Sequence, residues 1–206
     1  MKLIDISMTI SKDMMVYKDR AEKKPKFMPM KTYENSDFYE SRMDIDLHTG
    51  THVDAPLHMI ENGKTMEQLP LEDWHGEAQV LDLSHVKEAI HVEDINSYQI
   101  KQGEIILLKT QNSFEDTFNA DFIYLAADAA AYLVERGIKG VGIDALGIER
   151  AQAAHDTHKI LFDHDCFILE GLRLAHVNEG HYYLMALPLN IVGVEASPVR
   201  AVLIEK

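Results

Sequence analysis

Between residues 105 and 144 the chain spells out a strand, a helix and a second strand, and that succession points to an α/β fold. Ile105, Ile106, Leu107 and Leu108 form an apolar run bounded by Gly103 and Lys109, the pattern of a buried strand. Residues 126–136 are alanine-rich, carry Tyr132, Leu133 and Val134, and stop at Gly137, so strong helix formers meet a terminator. Gly140-Val141-Gly142-Ile143 returns to strand character and ends in Asp144. Elsewhere strand outweighs helix. Residues 3–10 are β-rich. Met43, Ile45 and Leu47 alternate with Asp44 and Asp46, which predicts a strand with one buried face. Residues 77–83, 167–170, 182–187, 191–194 and 199–204 also read as strands. Residues 92–98 and 149–161 read as further helices. Residues 11–31 carry Lys18, Arg20, Lys23, Lys24, Lys26 and Lys31 beside Pro25 and Pro29, the composition of an ordinary solvated loop. No repeat or linker divides the 206 residues, so one domain over 1–206 is expected.

Charge and cysteine content narrow the partners. Asp and Glu number 34 against 20 Lys and Arg, a net charge of −14 that repels phosphates and anionic lipid. Neither nucleic acid nor a membrane surface is an expected partner. The lone Cys166 cannot close an internal disulfide. Asp5 interrupts the apolar run a signal peptide needs, and no stretch reaches the roughly 18 consecutive apolar residues of a transmembrane helix. These features predict a cytoplasmic protein that acts on a small molecule.

Histidine is the unusual residue. Of 11 in the chain, His48, His52 and His58 fall within one short segment, His48-Thr49-Gly50-Thr51-His52-Val53-Asp54-Ala55-Pro56-Leu57-His58. Gly50, Pro56 and the β-branched Thr51 and Val53 argue against a helix there. In an extended chain, His48, His52, Asp54 and His58 share a parity and continue the polar face of Asp44 and Asp46. Imidazole nitrogen and carboxylate oxygen without thiolate are the donor types of a zinc or manganese site. Downstream, His155, His158 and His164 precede Glu170, which ends an apolar strand where an uncompensated carboxylate is costly. A metal would compensate it; Arg173 is the other candidate partner. Spacing alone does not separate His158 from His155. Cys166 lies in an apolar context where thiols are inert, so it is not an expected nucleophile.

The run from His48 through Gly50, Thr51, His52, Asp54 and Pro56 to His58 resembles the signature of the cyclase-like metal-dependent hydrolases, a family that includes bacterial kynurenine formamidases (arylformamidases). His158, followed twelve residues later by Glu170-Gly171-Leu172, is similar to a second motif of that family. The resemblance extends to Asp5-Ile6-Ser7, Gly142-Ile143-Asp144 and Ala186-Leu187-Pro188-Leu189. It implies a swivelling β/β/α domain, a homodimer or homotetramer, and two divalent metal ions, zinc first and manganese second. By the same resemblance, His48, His52 and Asp54 bind one ion, Asp54 and Glu170 bridge, His158 serves the second ion, and His58 is the general acid/base. Tyr17 falls where the bacterial formamidases carry a substrate-capping tryptophan. Ala145 stands where the family commonly has a serine. The implied activity is hydrolysis of an aryl formamide such as N-formyl-L-kynurenine, a step of tryptophan catabolism. Ring opening of a lactam or lactone, or the reverse cyclisation, is the alternative within the family. A metal-dependent binding protein without turnover is the alternative outside it.

Overall fold

The computed structural model describes residues 1–205. In chain order the strands are β1 (Lys2–Asp5), β2 (Lys26–Lys31), β3 (Glu40–Asp44), β4 (His52–Asp54), β5 (His75–Asp82), β6 (Ala89–Ile90), β7 (Ile105–Lys109), β8 (Tyr124–Leu125), β9 (Gly140–Ile143), β10 (Phe167–Glu170), β11 (Gly180–Met185), β12 (Ala196–Pro198) and β13 (Val202–Glu205). The α-helices are α1 (Val92–Ile95), α2 (Ala127–Glu135) and α3 (Asp156–Asp163). The fold is α/β with more strand than helix.

Nine strands form one mixed sheet in the order β1-β13-β11-β5-β7-β9-β10-β4-β12. Its centre, β5-β7-β9-β10, is parallel; the outer pairings are antiparallel. Parallel strands need both faces covered, and β7 is buried at all five positions. Its residues alternate between two apolar clusters. Ile106 and Leu108 join Val141, Ile143 and Ile168 under Ala129 and Leu133 of α2 and Leu161 of α3. Ile105 and Leu107 join Val53, Trp74, Leu169 and Leu203 on the opposite face. Each fully buried Leu or Ile contributes about 1.5–3 kcal/mol relative to exposure, so these two layers fix the centre of the sheet.

Several elements differ from expectation. The helix over residues 149–161 shrinks to α3, because His155 at its N-cap takes a left-handed backbone (φ 52°) and the preceding residues are irregular. The strand predicted from Met43, Ile45 and Leu47 survives as β3, but it pairs only with β2 and is exposed throughout. Met43 stays 48% exposed. Residues 11–31 are not all loop, since their end is β2. Residues 191–194 turn instead of extending, and the strand at that edge is β12.

Candidate metal centre

The site grows from one strand pairing. β4 and β10 are antiparallel, with His52 opposite Glu170 and Asp54 opposite Ile168. Residues opposite each other in antiparallel strands project to the same face, so His52, Asp54 and Glu170 stand together on the helix side. Val53 and Leu169 point the other way into the apolar cluster. β12 closes the far edge of β4, placing Ala196 opposite Asp54. All three residues of β4 are buried.

Extended parity holds only for residues 52–54. His48 reaches the same place through a turn: its backbone N–H donates to Asp46 Oδ1 at 3.0 Å, and Gly50 takes a left-handed φ of 64° that a side chain would strain. The turn is pinned against the end of β10. Thr51 accepts from the Met8 N–H at 2.7 Å and donates its hydroxyl to the Gly171 carbonyl at 2.6 Å. A Cβ on Gly171 would strike the Gly50 carbonyl, and Gly171 itself has φ 69°. This close approach brings two distant segments of chain side by side. His58 arrives in a 3-10 turn, Pro56–His58.

The resulting geometry has two sides. Asp54 Oδ1 lies 3.0 Å from His48 Nδ1 and 3.4 Å from His52 Nε2, while its Oδ2 lies 3.8 Å from His158 Nε2. Glu170 Oε2 lies 3.3 Å from His52 Nε2, while its Oε1 lies 3.7 Å from His158 Nε2. Each carboxylate therefore turns one oxygen toward His52 and the other toward His158. The rings of His48 and His58 are 4.3 Å apart, and those of His58 and His158 are 5.6 Å apart.

Neighbouring groups orient these rings. His52 Nδ1 lies 2.9 Å from the Gly50 carbonyl, which can only accept, so Nδ1 carries a proton and Nε2 is the nitrogen left to offer a lone pair once the ring is neutral. His158 shares the buried face of α3 with Leu161 and Phe162, which turns it inward. Its Nδ1 lies 3.2 Å from Glu149 Oε1, and the same oxygen accepts its backbone N–H at 3.1 Å. His155 stays at the rim, half exposed, 3.6 Å from Glu149 Oε2. The structure thus separates two histidines that spacing left equivalent.

A metal fits this donor set. His52 Nε2, both Asp54 oxygens and His158 Nε2 are buried without a hydrogen-bond partner. Buried polar atoms left in that state are costly, and a divalent cation satisfies lone pairs of both types at once. Two ligand-capable groups, His52-Asp54-Glu170 and His48-Asp54-His58, share Asp54. The electrostatics agree. Burial alone would lower the His52 and His158 pKa values, but the carboxylates around them override it and hold His52 up at about 9 and His158 at about 10. Burial works against Glu170 as an anion, yet the two imidazoles keep it well below the ordinary carboxylate range. His58 responds oppositely: burial outweighs its neighbours and lowers its pKa from the ordinary imidazole value.

The centre opens into a cavity of about 410 Å³ lined by Tyr17, Lys18, Arg20, Lys23, His48, His58, Glu149, His155, His158 and Glu170, among others. Tyr17 is among the lining residues, its ring packed edge-on against Phe118 at 5.4 Å. Two features escaped the sequence. Lys18, Arg20 and Lys23, expected to be ordinary surface, border this cavity. Glu149, expected only to begin a helix, is buried behind His158. Its spacing of nine residues from His158 matches no simple period, so only the folded chain reveals the pairing. Arg173 does not pair with Glu170; its guanidinium donates to the Glu115 carbonyl. Cys166 is buried, and burial pushes its thiol up to about 11.

The sequence profile of the family described as "Putative cyclase" matches residues 4–150. The chain belongs to this cyclase family. Among cyclase-family relatives, it is 34% identical to the kynurenine formamidase of Salinibacter ruber over 206 residues, covering 98% of this chain and 97% of the relative. It is 36% identical to the kynurenine formamidase of Bacillus mycoides over 167 residues, covering 79% and 78%. A solved structure from Bacillus stearothermophilus, described as a predicted metal-dependent hydrolase, superposes with a TM-score of 0.89 at 50% identity, covering 98% of this chain and 97% of that one.

Proposed function

We propose that this cyclase-family chain is a metal-dependent hydrolase of aryl formamides that converts N-formyl-L-kynurenine to L-kynurenine and formate in tryptophan catabolism. The observation that carries the reading is the convergence of His52 and His158 on opposite oxygens of Asp54 and Glu170, with the His58 ring beside them. It occurs in a chain similar along nearly its whole length to a kynurenine formamidase.

His48, His52, Asp54, His158 and Glu170 would hold two divalent ions; zinc suits the donor set, with manganese the other candidate. Bound there, such ions would supply Lewis-acid activation of water and of the formyl carbonyl. His58 accepts the proton that water loses as its oxygen bonds to the formyl carbon. It then returns that proton to the aniline nitrogen as the C–N bond breaks, releasing formate and the free amine. Glu149 and the Gly50 carbonyl keep the rings of His158 and His52 aimed. Tyr17 closes over the substrate from the cavity wall.

The proposal extends to a cytoplasmic homodimer or homotetramer. The β2–β3 hairpin supports self-association, because it exposes Phe27 and its cross-strand partner Met43 on one face. The test is release of kynurenine and formate from N-formyl-L-kynurenine by zinc-loaded protein. Bound zinc without cleavage of this or any other aryl formamide would contradict the assignment.

A further inference from the structure

The mouth of the cavity differs in charge from the rest of the molecule. Lys18, Arg20 and Lys23 border it, in a chain whose acids outnumber its bases 34 to 20. The acids that line the cavity, Glu149 and Glu170, both belong to the centre at its floor. Lys23 is committed elsewhere: its ammonium donates to Asp46 at 2.8 Å and ties the loop to the turn that carries His48. Lys18 and Arg20 are exposed, and among the described residues neither is in an ion pair. The Lys18 ammonium sits 5.2 Å from the centroid of the Tyr17 ring, on the cavity wall.

Backbone strain gathers at the same place. Of the lining residues, Lys18 (φ 57°), Ala151 (φ 56°) and His155 (φ 52°) are left-handed, as is Asp19 (φ 46°), which pairs with Lys24 at 3.5 Å. Non-glycine residues resist this conformation and keep it only where the surrounding structure imposes it, most often around ligand sites. Two unpaired cations are thus presented on a constrained rim above an acidic floor.

We infer that the cavity selects a substrate whose tail bears a carboxylate: the scissile amide meets His58 and the Asp54–Glu170 pair, while that carboxylate is received by Arg20 and Lys18. The identity of the bond at the floor rests on the hydrolase reading; the charge preference of the mouth does not. Guanidinium matches a carboxylate with two parallel N–H donors, and the positive rim attracts anions that the rest of the surface repels. A neutral tail of the same size gains neither effect.

Binding of two probes that differ in one charge tests this: 4-(2-aminophenyl)-4-oxobutanoate and its primary amide. Both are titrated calorimetrically into zinc-loaded and metal-free protein, wild type and the Lys18→Gln/Arg20→Gln double variant. The expected result is about tenfold tighter binding of the carboxylate by wild type, the worth of one charge-assisted hydrogen bond. That preference should vanish in the double variant and shrink with added salt. Both side chains are exposed, so the variant keeps its fold, which circular dichroism verifies. Equal affinity for the two probes in wild type, or a preference unchanged in the variant, overturns the inference. A charge preference that persists in protein unable to cleave any formamide supports the inference and removes the hydrolase reading instead.

Discussion

His52 and His158 lie on opposite sides of Glu170, one 3.3 Å from Oε2 and the other 3.7 Å from Oε1. Asp54 repeats the arrangement with its own two oxygens. The halves of the centre should therefore fail separately. Elemental analysis is expected to find two zinc ions per wild-type chain, one in His158→Ala and none in Asp54→Ala. Two ions retained in His158→Ala would remove that residue from the ligand set.

Glu149 touches the centre through His158, accepting its backbone N–H and lying 3.2 Å from its Nδ1. Glu149→Gln keeps the shape and removes the charge behind the ring. Loss of such a partner typically weakens a metal site about 10–100-fold. Competition with a chelator should show that loss for one ion of the two. Release of both ions in parallel would assign Glu149 a general structural role.

His58 is expected to matter for proton transfer more than for metal retention, although it sits within ligand distance of His48 and Asp54. In His58→Ala, zinc content should stay near wild type while turnover of N-formyl-L-kynurenine falls about 10²–10⁴-fold. Loss of zinc in step with activity would make His58 a ligand instead.

Gly171 joins the two motifs mechanically. Gly171→Ala forces a methyl group onto the Gly50 carbonyl at a backbone angle alanine disfavours. A destabilisation of about 2–4 kcal/mol is expected, at the upper end of single substitutions. Chemical denaturation measures it, and a change below about 0.5 kcal/mol, the scatter of neutral surface substitutions, would show that the contact relaxes freely.

Cys166 should be silent. With its thiol pushed up to about 11 by burial and by the nearby Asp165 carboxylate, the reactive thiolate is only about 10⁻³ of the population at pH 8. The sign follows directly: a raised thiol pKa keeps the neutral form until the pH climbs toward 11. A thiol reagent at pH 8 should label unfolded chain rapidly and native chain slowly. Equal rates would place Cys166 at the surface.

The parts of this molecule legible in its sequence are those where one residue pattern has one physical solution. The apolar run at 105–108 can only be buried, and it is the sheet's centre. The donor types of His48, His52, Asp54 and Glu170 suit a cation, and folding brings them together. What escaped depends on contacts between distant segments. Met43 looks core-facing by alternation, yet β3 meets only β2. His48 comes beside His52 and Asp54 by a turn at Gly50 and not by the extended parity that the sequence suggested. Glu149 and Arg20 acquire meaning only once α3 and the N-terminal loop converge on one cavity.

Anomalous diffraction from crystals of the zinc-loaded protein interrogates the centre itself. Two zinc peaks are expected, flanking the Asp54 and Glu170 carboxylates, one beside His48 and His52 and the other beside His158. Zinc bound elsewhere, or no zinc between these five side chains, would contradict a centre in which the two carboxylates hold the catalytic cations.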